Sequence, residues 1–186
     1  MTAIETAILV IRALDDLEIP YMLVGSFSSS YYGIARSTKD VDLVVQLDDR
    51  SISEVDRALG PRFKLDRQMS FETITGTIKH VFTVDETSFQ VEVFRLSDDP
   101  HDQERFRRRQ CVEFQDQDTW LPTAEDVILT KLVWSSTGNR PKDADDVRDV
   151  IAVQGDAIDW DYVHRWCDEH GTRDLLDEIR ASIPPI

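Results

Sequence analysis

The chain has 186 residues, 41% of them apolar, enough for one domain, or for a compact catalytic unit with a small helical annex, around a real core. Acidic residues outnumber Lys and Arg by 36 to 21, and the formal net charge of -15 opposes nonspecific adhesion to nucleic acid or anionic membrane. No run approaches the roughly 18 apolar residues of a membrane span, Glu5 interrupts the apolar start unlike a secretory signal, and the two cysteines, Cys111 and Cys167, are too few for a disulfide scaffold, so a cytoplasmic chain with reduced thiols is expected.

Ile4, Ala7, Ile8, Ile11, Leu14 and Leu17 recur at helical spacing and predict a helix over residues 3 to 18, closed by Pro20. Tyr21 to Val24 reads as a short apolar strand ended by Gly25-Ser26. A short helix over Phe27 to Ile34 follows: no proline forbids it, although Ser28, Ser29 and Ser30 are only moderate helix formers. Val41, Leu43, Val44, Val45 and Leu47 make the next strand. Ser51 and Glu54 have the spacing of a capping box, so a helix runs to about Leu59, with Gly60-Pro61 as its stop. Phe63 to Thr75 reads as irregular or short strand. The runs KHVFTV and SFQVEVFRL flank Asp85-Glu86-Thr87 as the arms of a hairpin.

His101 to Arg109 reads as a helix and Cys111 to Phe114 as an edge strand. Beyond Pro122 the pattern turns wholly helical. Thr123 with Asp126 resembles a second capping box, starting a helix with Val127, Ile128, Leu132 and Val133, and three more helices follow near 143 to 153, 159 to 169 and 173 to 181. This order predicts an α+β chain: a helix-backed sheet over residues 1–122, and a helical region over 123–186 packed on it.

The chemistry concentrates at Asp40-Val41-Asp42. Strand side chains repeat every two residues, so Asp40 and Asp42 point one way while Val41 and Leu43 point to the buried face. Two carboxylates this close repel, and a hard divalent cation compensates them. Phe89, Val91 and Val93 share one face of a later strand and leave Gln90 and Glu92 on the other. Should that strand lie beside the first, Glu92 adds a third carboxylate, and such a set could hold two Mg²⁺ about 3.5 to 4 Å apart. Gly25 can take backbone angles other residues resist, and Ser26 offers its N–H and hydroxyl to a phosphate. The plainer alternative is that Asp40 ends a strand in solvent, Asp42 and Glu92 line a wet sheet face, and Gly25-Ser26 is ordinary turn chemistry.

Other constellations are weaker. Arg105, Arg107, Arg108 and Arg109 form the densest basic run, either a contact for an acceptor such as an RNA end or a solvated helix face beside Asp102 and Glu104. Arg36, Lys39, Lys131, Arg140 and Lys142 are cations able to offset phosphate charge or to serve the surface. His164, Cys167 and His170 match no closed zinc spacing, and Trp134, Trp160 and Trp166 suit helix packing better than base stacking.

The stretch VGSFSSSYYGIARSTKDVDLVV resembles the signature of the nucleotidyltransferase superfamily, the DNA polymerase beta-like group: Gly-Gly or Gly-Ser after a strand, a helical spacer, then acidic, hydrophobic, acidic. Here thirteen residues separate Ser26 from Asp40, at the long end of the usual spacing. The later segment EDVILTKLVWSSTGNRPKDADDV resembles the small bacterial members related to abortive-infection and toxin-antitoxin proteins. The resemblance implies a nucleotidyltransferase-like mixed sheet and transfer of a nucleoside monophosphate from a nucleoside triphosphate (NTP) to an RNA, protein or small-molecule hydroxyl. It implies that Gly25 and Ser26 hold the triphosphate and that Asp40, Asp42 and Glu92 hold Mg²⁺, with Glu92 nearest the attacking hydroxyl. Lys131, Lys142 and Asp143 would be downstream polar residues of the pocket, with Asp146 a structural partner. Glu92 departs from the Asp of many members by one methylene. That leaves a second expectation open, a noncatalytic nucleotide-binding protein or toxin-antitoxin partner.

Overall fold

Side chains alternate faces along a strand, and that alternation organises the first of two compact units in the computed structural model, which describes residues 1–74, 76–138 and 140–184. This unit comprises residues 1–27 and 37–121. Its elements in chain order are α1 (Ala3–Asp16), β1 (Tyr21–Leu23), the start of α2 (Gly25–Tyr32), β2 (Asp40–Val45), α3 (Ile52–Leu59), β3 (Phe63–Leu65), β4 (Ser70–Glu72), β5 (Thr77–Val84), β6 (Gln90–Arg95), α4 (Pro100–Arg108), β7 (Gln110–Phe114) and β8 (Gln117–Leu121). The main sheet has the order β1, β2, β6, β5, β3, with β4 also paired to β5. β2 and β6 run parallel and the other pairs antiparallel, so the sheet is mixed and the fold is α+β, as expected.

Val41, Leu43, Val45, Val91, Val93 and Phe82 are fully buried on one face, under Ala7, Val10, Ile11 and Leu14 of α1 and Val55 of α3. Each buried aliphatic side chain of this size contributes about 1.5–3 kcal/mol. A one-residue slip of β2 would bury its carboxylates in place of its valines, so the apolar set fixes which way the acids point. The capping box read from sequence at Ser51 and Glu54 forms and starts α3, and a second one that the sequence reading did not single out, Thr2 with Glu5, starts α1. On the opposite face, Met22, Val44 and Phe94 meet Phe106 of α4 in a small cluster, and the remainder of that face carries the acids.

The stretch read as irregular or short strand contains two short strands, β3 and β4, three residues each, both on the edge side of β5; Thr75, its last residue, lies outside the described residues. The strand β8 was not evident in the sequence. β7 pairs with β8, a strand with little apolar alternation, across Gln115 and Asp116, whose φ of 54° and 59° make a tight two-residue turn. Glutamine does not announce such a turn.

The acids beside the basic run pair with it, as its reading as a helix face beside Asp102 and Glu104 has it, except that Arg105 is not solvated. Arg105 is buried and its Nε lies 2.8 Å from an Asp102 oxygen. Arg107 pairs with Glu104 at 2.7 Å, and the Arg109 guanidinium sits 4.2 Å from the Phe106 ring centroid.

The second unit comprises residues 28–36 and 122–186. It contains α5 (Ala124–Gly138), α6 (Pro141–Gln154), a 3-10 turn (Gly155–Ala157), α7 (Trp160–His170) and α8 (Arg173–Ala181), around Ile128, Leu132, Val147, Val150, Val163 and Leu176. The Thr123 hydroxyl accepts the Asp126 N–H at 3.3 Å and donates to the Asp126 carboxylate at 2.9 Å, which starts α5. Trp160 and Trp166 pack against this core, and Cys167 is buried within it. Among the described residues no helix is long and apolar enough to cross a membrane.

Candidate functional site

β2 begins at Asp40, which is exposed, and carries Asp42, half-buried, two residues on and on the same side. The Thr38 hydroxyl accepts the Asp40 N–H at 3.2 Å and donates to the Asp40 carbonyl at 3.1 Å, fixing where the strand starts. Parallel pairing places Asp42 opposite Glu92 and Asp40 opposite Gln90. Paired strands lie about 4.8 Å apart, so Asp42 and Glu92 project from adjacent positions on one face.

α2 starts two residues earlier than the sequence suggests, at Gly25 itself. The Val24 N–H donates to the Asp42 carbonyl at 2.8 Å, and the chain then turns into the helix through Gly25 at φ +62°. A Cβ on Gly25 would fall 2.7 Å from Asp42 Cγ and overlap its Oδ2. Only a bare α-carbon leaves room for this carboxylate, which therefore sits against the positive end of the α2 dipole. α2 has no acid in its own first turn, so the acid beside its start comes from β2. Ser26 follows, buried.

Lys79, on β5, was not singled out from the sequence. Its Nζ donates to Glu92 Oε1 at 2.9 Å, and the two side chains are 21% and 23% exposed. Lys79 lies opposite Phe94 in the register, with its ammonium 5.7 Å from that ring's centroid. Only the β5–β6 register brings it to Glu92, thirteen residues on. Asp40 and Asp42 supply hard oxygen donors from one side of β2 and suit a divalent ion such as Mg²⁺. The third acid has an oxygen already bonded to an ammonium, and among the described residues no group of three His, Cys, Asp or Glu is arranged to hold a metal.

The downstream polar residues form a charged network within the second unit. Lys131 of α5 donates to Asp143 Oδ1 at 2.8 Å and lies 2.8 Å from Asp146 Oδ2. Arg36 grips Asp146 with Nε and Nη2, both at 2.8 Å, and the Ser29 hydroxyl donates to Asp146 at 3.2 Å. Arg140 Nε lies 3.0 Å from Asp143 Oδ2. Burial alone would raise the Asp146 pKa, but the hydrogen bonds from Arg36 and Lys131 outweigh it and hold the carboxyl below the usual range. Lys142 is exposed on the first turn of α6.

The family described as a nucleotidyltransferase of unknown function (DUF6036) matches residues 1–182. No curated protein matches the chain. Among solved structures, the antibiotic-resistance factor ANT(2'')-Ia in complex with adenylyl-2''-tobramycin superposes with a TM-score of 0.62 at 11% identity, over 91% of this chain and 97% of that one. An antigenic nucleotidyltransferase-like protein from Paracoccidioides brasiliensis gives 0.57 at 18% identity, over 100% and 96%. The lincosamide antibiotic adenylyltransferase LnuA, lincomycin-bound, gives 0.55 at 9% identity, over 82% and 99%. At these identities the likeness is one of fold.

Proposed function

Because the chain belongs to the nucleotidyltransferase family DUF6036, we propose that it moves a nucleoside monophosphate from an NTP to an acceptor hydroxyl and releases pyrophosphate. The observation that carries this reading is the seating of the Asp42 carboxylate against Gly25 at the start of α2, which puts an acid suited to metal and a turn suited to phosphate in direct contact.

In this scheme the start of α2, with Gly25 and Ser26, binds and orients the triphosphate. Asp40 and Asp42 are the residues that would hold Mg²⁺, and the ion when bound supplies charge stabilisation at the phosphates. Glu92, beside Asp42, takes the proton of the acceptor hydroxyl as its oxygen bonds to the α-phosphorus and the bond to pyrophosphate breaks. Lys131 and Asp143 hold each other and Asp146 in place within the second unit, and that is their contribution.

A small-molecule hydroxyl is the favoured acceptor. The net charge of -15 works against a polyanionic acceptor, and the fold neighbours solved with adenylyl-2''-tobramycin and with lincomycin support a small one. RNA and protein are the other outcomes of the same test: incubation with α-labelled NTPs and Mg²⁺, offering aminoglycosides, lincosamides, RNA and cellular protein in turn. Label is expected on an acceptor with the intact chain and on none with Asp40→Asn/Asp42→Asn. One observation, the Lys79 bond to Glu92, favours a second reading as a nucleotide-binding toxin-antitoxin partner without transfer. Nucleotide binding with no labelled acceptor in any arm would select it.

A further inference from the structure

Three carboxylates on one sheet face, Asp40, Asp42 and Glu92, are accompanied by one ammonium, Lys79, bonded to the third. We infer that Lys79 is a built-in substitute for a second metal ion, so that the site takes one divalent cation with the nucleotide rather than two. The inference rests on the reading of Asp40 and Asp42 as the metal pair and concerns only what neutralises Glu92.

Charge and placement support it together. The Lys79 ammonium already neutralises Glu92, which leaves the Asp40 and Asp42 carboxylates as the pair to offer a divalent ion. Lys79 reaches Glu92 from the strand on the far side of β6, and Asp42 stands on the near side, so the ammonium and the Asp40–Asp42 pair flank Glu92 from opposite strands. Both partners of the ion pair are mostly shielded from solvent, where an ammonium and a carboxylate attract more strongly than at an open surface. Phe94 backs the lysine, and its ring face favours a cation there. For the transfer step, Lys79 is a positioning residue: it holds the Glu92 carboxylate where a metal ion would otherwise orient it.

The test counts Mn²⁺ ions per nucleotide-bound chain by native mass spectrometry, with a non-hydrolysable NTP analogue, and checks the count by electron paramagnetic resonance. The wild-type chain is expected to carry one ion, and Glu92→Gln also one, since Glu92 is not a ligand. Lys79→Met, which keeps the side chain's bulk and frees Glu92, is expected to carry two. Two ions on the wild type, falling to one in Glu92→Gln, would overturn the inference while leaving the Asp40–Asp42 site intact. Should Lys79→Met fail to fold, the wild-type and Glu92→Gln counts decide the matter by themselves. No ion on the nucleotide-bound wild type, or an undiminished count in Asp40→Asn/Asp42→Asn, would overturn the site reading itself.

Discussion

Gly25→Ala separates backbone strain from the chemistry of the site. At φ +62° an alanine costs about 1–2 kcal/mol. For a chain of this length each kcal/mol lowers Tm by about 2–4 °C, so a fall of about 2–8 °C is expected from strain alone. The added Cβ would also lie 2.7 Å from Asp42 Cγ, where carbon contacts prefer about 3.5–4 Å. The carboxylate must therefore move by about 1 Å, and a misplacement of that size costs on the order of a hundredfold in rate. Gly171→Ala is the matched comparison: Gly171 caps α7 at φ +67° with nothing within 4 Å of a Cβ. Both variants should melt earlier in calorimetric melting, Gly171→Ala by the strain alone and Gly25→Ala by at least as much, since its Cβ also displaces Asp42. Only Gly25→Ala should also weaken Mg²⁺-nucleotide binding and slow transfer, the latter by about a hundredfold. A Gly25→Ala chain that binds and transfers like Gly171→Ala would refute the placement of Asp42 at a working site.

Three further outcomes are expected. Lys131→Met removes a cation shared by two buried carboxylates and should cost about 3–5 kcal/mol, read as a large fall in Tm. Asp146 has its folded pKa depressed, so its contribution to stability is fully present above the ordinary carboxylate value of about 3.9 and is lost as pH falls through the lower folded value. Melting across pH 6 to 2 should show that loss in the wild type, and Asp146→Asn should already be destabilised at pH 6 and show less of it. Thr2→Ala breaks the α1 capping box and should cost about 1 kcal/mol, a small drop in Tm with nucleotide binding unchanged.

Much of this site could be read along the chain because its parts are local. Asp40, Val41 and Asp42 alternate within one strand, and Ser51 with Glu54 announces a helix three residues away, so no knowledge of the tertiary fold was needed. The position of Glu92 was conditional on which strands pair, and the parallel β2–β6 register is a long-range property that periodicity does not carry. Lys79 was illegible for the same reason: a lysine in a hairpin arm looks like a solvated residue until β5 is set against β6. Arg36 has no local signal at all, since its partner Asp146 is 110 residues further along. α2 hid its start because helices seldom open on a glycine at positive φ, and here the contact with Asp42 requires one.

Asp40 and Asp42, set against the start of α2, are proposed here as a metal-dependent nucleotide site. Calorimetric titration of an NTP into the wild-type chain and into Asp40→Asn/Asp42→Asn, each with Mg²⁺ and with chelator, tests it most directly. Binding is expected to the wild type only with Mg²⁺, and the double variant with Mg²⁺ should bind as weakly as the wild type with chelator. Equal affinity for the two chains, or wild-type binding indifferent to Mg²⁺, would contradict it.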